Sequence, residues 1–221
     1  MSAAATVPLR IDFVSDVVCP WCAVGLASLE QAIERLRGEV DVELHFRPFE
    51  LNPQLGSEGE DVAGHLQKKY GMSDADLAAS QETIRQRGAS LGFTFDMEKR
   101  RRIYNTFDAH RLLHWAALEG KQSVLKHALL RAYFTEGRDV SDHATLVKVA
   151  ESVGLSADRA RAILGTDEYA GEVRAEERFF IENGIQGVPA IIIEQRHLIS
   201  GGQPVEVFEN ALRQIAAAKR G

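Results

Sequence analysis

Leu9-Arg10-Ile11-Asp12-Phe13-Val14-Ser15-Asp16-Val17-Val18-Cys19-Pro20-Trp21-Cys22 is the stretch that decides the reading of this chain. Residues 9–14 carry Ile11, Phe13 and Val14, apolar and β-prone, and predict a strand. Ser15-Asp16 makes a short turn. From 23 to 37, Leu26, Leu29, Ile33 and Leu36 fall on one helical stripe, and Gly38 stops the helix. Residues 40–47 alternate through Val40, Val42, Leu44 and Phe46, the pattern of a half-buried strand. The start of the chain therefore reads β-α-β, with two cysteines where the helix begins.

Cys19 and Cys22 are the 2 cysteines of the 221-residue chain. A disulfide between them closes almost no loop, so stapling is a poor reason for the pair. The first helical turn offers free N–H groups and the positive end of the macrodipole, both of which favour an anion. Cys19 sits there, and a lowered pKa is what a nucleophilic thiol needs. Cys22, one turn on, shares its face within disulfide reach. Pro20 is tolerated because first-turn N–H groups have no intrahelical partner. The arrangement suits attack by Cys19 on a substrate disulfide and then attack by Cys22 on the mixed disulfide, or the reverse. Two plainer readings stand beside this one. The pair is half of a zinc site, which needs further ligands and finds no second CxxC, or it is two cysteines that merely pack.

Residues 48–59, with prolines and glycines, read as a loop. Helical periodicity then runs through 62–70, 74–91, 103–119, 122–136, 142–153, 156–164 and 168–183. Glycines close these segments, and Ser73, Ser141 and Ser156 are N-cap candidates. After Gly184 come a β-branched run at 190–193, a turn at Gln195-Arg196, a strand at 198–200, a break at Gly201-Gly202 and a last helix from Pro204 to about 218. The expectation is an α/β fold with one central mixed sheet. Residues 1–59 and 184–221 would form a discontinuous domain, and 60–183 an all-helical insertion. With 45% apolar and 26% charged residues and a net charge of −6, the chain has ordinary globular usage and no basic surface for nucleic acid. No run is long enough to span a membrane. The first ten residues lack a basic segment followed by an apolar core, so a cytoplasmic location is expected.

Asp16-Val17-Val18-Cys19-Pro20-Trp21-Cys22 resembles the active-site segment of the DsbA family of thiol–disulfide oxidoreductases, and in detail its FrnE-like branch in the thioredoxin superfamily. Arg47-Pro48-Phe49-Glu50-Leu51-Asn52-Pro53 and Asn105-Thr106-Phe107-Asp108-Ala109-His110-Arg111 agree with that branch. So do Gly184-Ile185-Gln186-Gly187-Val188-Pro189-Ala190 and Ile199-Ser200-Gly201-Gly202-Gln203. The resemblance implies a thioredoxin-like fold with a helical insertion, protein disulfide oxidoreductase activity, and no cofactor beyond the redox-active Cys19–Cys22 disulfide. It also implies a cis Pro189 lying against the CxxC, with the peptide groups of Val188 open to a substrate strand. The mundane alternative is an ordinary trans proline at a strand start.

Other candidates carry two readings each. Asp12 is either a buried relay acid beneath the disulfide, raised in pKa by desolvation, or a plain edge acid. His110 is either a packed helix histidine or a groove residue that tunes Cys19. Asn52 and Asn105 join Phe49 as substrate contacts, although turn chemistry also explains the asparagines. Trp21 is expected exposed between the cysteines as a substrate contact, and Pro20-Trp21 sets the redox poise. The run Lys99-Arg100-Arg101-Arg102 reads as a solvated face. Expected partners are protein or small thiol and disulfide substrates, with glutathione as a candidate co-substrate; no metal is expected, and self-pairing stays open. Three functions compete. The first is reductase or isomerase exchange. The second is glutathione chemistry like that of kappa-class transferases and hydroxychromene-carboxylate isomerases, which typically carry Ser at the first position. The third is a non-catalytic redox-sensing or chaperone-like module. Retention of both cysteines favours the first.

Overall fold

The computed structural model describes residues 6–56 and 58–220; residues 1–5, half of the segment on which the leader expectation rests, lie outside these. Strand β1 (Val7–Ser15), helix α1 (Pro20–Arg35) and strand β2 (Val40–Pro48) open the fold. They are followed by β3 (Glu60–Asp61), α2 (Val62–Tyr70), α3 (Asp74–Ser90), β4 (Arg102–Ile103), α4 (Phe107–Leu118), α5 (Gln122–Phe134), α6 (His143–Ser152), α7 (Ala157–Leu164) and α8 (Ala170–Glu182). Strands β5 (Ala190–Ile193) and β6 (His197–Ser200) and helix α9 (Val205–Arg220) close the chain.

The main sheet has the order β2-β1-β5-β6. β1 pairs parallel to β2, with Val7 opposite Val40, and antiparallel to β5, with Phe13 opposite Ile191. A parallel partner reached through a helix requires covered faces, and side-chain alternation along β1 supplies an apolar surface to each. Leu9, Ile11 and Phe13 join the main core with Leu26 and Leu29 of α1 and Phe208 and Leu212 of α9. Val14, on the other face, packs with Phe49, Phe180 of α8, Ile185 and Ala190. Phe13 meets Phe46 of β2 edge-to-face at 5.9 Å.

The main core is continuous through the helical tract, including Leu112, Leu125, Leu129, Phe134 and Leu146. Two of the three expected serine caps are found, while α6 is capped by Asp142, which accepts from Thr145 N–H, and not by Ser141. Ser73 and Asp76 form a reciprocal capping box on α3, and Ser156 caps α7. Three expectations need correction. The tract is not all helical, because β3 and β4 pair antiparallel, Glu60 with Ile103. Ile103 therefore belongs to a strand, and the helix expected from 103 begins at Phe107. The helix expected from 168 begins at Ala170, after Tyr169 adopts a left-handed φ of 62°. This last helix, α8, also packs on β2, so it serves the sheet as well as the helices around it.

Candidate active site

Cys19 is the N-cap of α1, in extended conformation, and Pro20 occupies the first turn. The helix starts here because the ring of Pro20 presets φ and has no N–H to leave unpaired. Cys22 N–H and Ala23 N–H both donate to the Cys19 carbonyl, at 3.1 and 3.4 Å. Both thiols are free. Cys19 is 4% exposed and Cys22 fully buried, so Cys19 is the sulfur with any access to solvent.

The two sulfurs differ electrostatically. The Cys22 thiol, together with the Cys22 and Trp21 N–H groups, holds the Cys19 pKa below its ordinary value, against burial and the Asp16 charge. Burial, reinforced by the hydrogen bond and charge of Cys19, pushes Cys22 well above the usual thiol range. The outer sulfur is thus disposed to be the thiolate and the inner one the thiol.

The Val188–Pro189 peptide is cis. It places the Val188 carbonyl 3.6 Å from Cys19 Sγ, where it accepts the thiol proton. Two glycines allow three segments to converge here. A Cβ on Gly25 would come 3.2 Å from Pro189 Cγ, and one on Gly202 would come 2.9 Å from the Trp21 carbonyl oxygen. Trp21 is half-buried rather than exposed, because it packs on the core and lies beside the Arg87 guanidinium, 5.8 Å from its ring centre. Arg87 donates to the Gly202 carbonyl at 2.9 Å, fixing α3 to the same loop. Tyr70, at the end of α2 and largely exposed, feels the Cys19 charge; burial and that charge raise its pKa.

Asp12 is buried, but the relay reading does not hold. Its side chain lies on the sheet face away from α1, where Arg47 Nε donates to Oδ1 at 2.6 Å and Arg10 to both oxygens at 3.2 Å. Burial raises its pKa, yet the two guanidiniums outweigh it and hold the carboxyl below its usual range, opposite to expectation. Phe49 belongs to the second core cluster rather than the groove. Asn52 spends its side-chain oxygen on Lys69 Nζ, 2.7 Å, and His65 Nε2, 3.1 Å. Asn105 accepts from Phe107 N–H at 2.9 Å, turn chemistry at the start of α4. All three residues thus make contacts within the protein.

His110 is packed, 2% exposed. Its neighbour is Asp16, a residue sequence reasoning quoted but assigned no role. His110 Nε2 lies 3.6 Å from Asp16 Oδ1, and Leu51 N–H donates to Oδ2 at 2.8 Å. Burial pushes the Asp16 carboxyl up, but the imidazole, the Leu51 N–H and the Thr106 hydroxyl together keep it below the ordinary value. Lys126 of α5 was missed altogether. It is buried, with Nζ 6.0 Å from the Phe46 ring centre. Among the described residues no group of three or more His, Cys, Asp or Glu side chains is placed to hold a metal ion.

A sheet of this order, with a free cysteine pair opening its first helix beneath a cis-proline loop, defines a thioredoxin-like protein. The family model of the DSBA-like thioredoxin domain matches residues 10–213, and the chain belongs to that family. It is similar to a probable DsbA oxidoreductase from Streptomyces coelicolor, at 37% identity and a TM-score of 0.90, covering 96% of this chain and 92% of that one. The uncharacterised protein YwbO of Bacillus subtilis is 31% identical over 205 residues, 92% of this chain and 96% of its own. The cytosolic disulfide reductase DsbM from Pseudomonas aeruginosa, solved with glutathione, shares the fold: TM-score 0.63, 18% identity, coverage of 93% and 98%.

Proposed function

We propose that the chain is a dithiol–disulfide oxidoreductase of reductase or isomerase type, with Cys19 as the attacking sulfur and Cys22 as the resolving one. The observation that carries this reading is the N-cap position of Cys19, with its pKa lowered by the Cys22 thiol and the first-turn N–H groups while Cys22 stays a buried thiol. The Cys19 thiolate attacks a substrate disulfide, releases one substrate thiolate and forms a mixed disulfide. Cys22 then attacks Cys19 Sγ, and the second substrate sulfur leaves, two electrons having passed to the substrate. Pro189 and Val188 border the sulfur, which supports pairing of an extended substrate with the Val188 peptide in exchange for its contact with Cys19. Glutathione is the proposed reductant of the Cys19–Cys22 disulfide, a reading supported by the fold shared with a glutathione-bound disulfide reductase. No helix among the described residues is long and apolar enough to cross a membrane.

The test is insulin reduction with glutathione as electron donor, beside a redox titration of the pair. Catalysed reduction lost in Cys19→Ser, with Cys22→Ser trapping a mixed disulfide, is the expected result. Glutathione transfer to an electrophile that survives Cys19→Ser would overturn the proposal in favour of transferase chemistry.

A further inference from the structure

The run Lys99-Arg100-Arg101-Arg102, expected as a solvated face, is not one throughout. Lys99, Arg101 and Arg102 are exposed, but Arg100 is only 6% exposed. An arginine keeps its charge in proteins, and a buried guanidinium without a carboxylate is costly. Among the described residues Arg100 has no ion-pair partner. Its Nε donates to the Tyr133 hydroxyl at 3.2 Å, and its guanidinium lies 5.6 Å from the Tyr133 ring centre and 5.4 Å from that of Phe134. Ring faces and a neutral oxygen offset part of the desolvation but leave the charge in place.

The neighbours add to it. Arg101 Nε donates to the Glu98 carbonyl at 3.2 Å, and Arg102 donates to the Glu58 carbonyl at 2.9 and 2.6 Å and to the Gly59 carbonyl at 3.0 Å. Carbonyls orient these guanidiniums without neutralising them. The nearby acids are committed elsewhere. Asp96 pairs with Lys99 at 2.8 Å, Glu136 pairs with Arg138 at 2.8 Å, and Asp139 Oδ1 accepts from the Ser141 and Asp142 N–H groups.

Arg100, Arg101 and Arg102 line a cavity of about 220 Å³ together with Lys99, Tyr104 and Tyr133; among the described residues no carboxylate lines it. Its walls are fixed. The Tyr133 hydroxyl donates to the Arg102 carbonyl at 2.9 Å, and Asp96 N–H donates to the Phe134 carbonyl at 2.9 Å. Gly137, at a φ of 70°, closes one side: a Cβ there would come 2.6 Å from Lys99 Cβ, so the α5–α6 connection needs glycine to lie against the run. At ~30 Å³ per water the space holds about seven waters, more than a phosphate group alone fills.

Guanidinium forks match phosphate oxygens in geometry as well as charge. We propose that this cavity binds a small phosphate monoester, its dianion held by Arg100, Arg101 and Arg102 and its short organic body lying against Tyr104. The site shares no residue with the cysteine groove, so it stands apart from the disulfide-exchange reading.

The experiment is calorimetric titration of the full chain at low ionic strength with glycerol 3-phosphate, with inorganic phosphate and glycerol as comparisons. Saturable binding of the ester, weakened by added salt and absent for glycerol, is the expected result. Arg101→Gln should weaken it at least about tenfold, the loss of one charge-assisted hydrogen bond. Arg101 is exposed and bonds only to backbone, so the unliganded melt of this variant should match wild type. Arg100→Lys keeps the buried charge without the fork and should weaken binding as well. In melts, the ester should raise the Tm of wild type more than that of Arg101→Gln. No saturable binding at millimolar ester, or equal affinity in wild type and Arg101→Gln, would overturn the proposal. Inorganic phosphate binding as tightly as the ester would overturn the monoester assignment in favour of the free ion.

Discussion

Gly202→Ala tests whether the close approach of the Gly201-Gly202 loop to the first turn of α1 matters. The new Cβ would lie 2.9 Å from the Trp21 carbonyl oxygen, 3.3 Å from Trp21 Cε3 and 3.4 Å from Gly25 N. The first distance is roughly half an ångström short of comfortable contact, and the opposing atom is backbone, so the loop or the helix start must shift. Overpacking of this kind costs about 1–3 kcal/mol, offset by about 0.4–1 kcal/mol from the stiffer unfolded chain. At about 2–4 °C per kcal/mol for a chain of this size, Tm should fall by roughly 2–8 °C. Gly187→Ala is the control. Its Cβ meets nothing within 4 Å, and it lies in the neighbouring loop, so it should be neutral or slightly stabilising. Thermal melts and insulin reduction of both variants make the comparison. Because the displaced carbonyl belongs to the residue between the two cysteines, Gly202→Ala should also slow reduction where Gly187→Ala does not. A Gly202→Ala protein with wild-type Tm and rate, or equal losses in both variants, would refute the argument.

Asp12→Asn should destabilise by about 1–3 kcal/mol at neutral pH, less than a fully buried pair because Arg10 and Arg47 keep 41% and 21% of their side chains exposed. Since the folded pKa of Asp12 lies below the unfolded value of about 3.9, its contribution is present above that pH and lost as pH falls through the folded pKa. Denaturant titrations should show the deficit shrinking only in that acid range; one that grows on acidification would contradict the sign. Arg111 is buried and donates to the Glu168, Ile163 and Thr166 carbonyls, tying α4 to the α7–α8 turn. Arg111→Met should cost about 3 kcal/mol and speed hydrogen exchange around 163–169, and unchanged exchange there would remove the assigned role.

Periodicity carried the fold a long way because the elements that matter repeat strongly. The strand expected at 9–14 extends over Val7–Ser15, and the helix beginning at the cysteines ends within two residues of the expected place. The β3–β4 pair left no signal, since Glu60-Asp61 and Arg102-Ile103 have neither length nor alternation. Asp12 could have been placed correctly. Strict alternation puts it opposite Ile11 and Phe13, and those two face the helix that bears the cysteines. Lys126 also left a trace, falling with Leu129, Leu130 and Tyr133 on the buried stripe of α5. That its ammonium lies by the Phe46 ring depends on how α5 docks on β2, and no local pattern encodes that. Arg87 reaches Trp21 by the same tertiary route.

The place of β1 in the sheet has a consequence for biosynthesis. Its parallel neighbour β2 follows within a few dozen residues, but its other partner is made near the end of the chain. At roughly 5–20 residues per second, Ala190 leaves the ribosome on the order of ten seconds or more after Ser15. Until then the sheet beneath Cys19 lacks β5 and the Val188–Pro189 segment is not yet made, so both sulfurs are open to exchange with small-molecule disulfides. The nascent chain is therefore open to mixed disulfides at either sulfur, whereas the finished protein buries Cys22 fully and leaves Cys19 as the sulfur with any access.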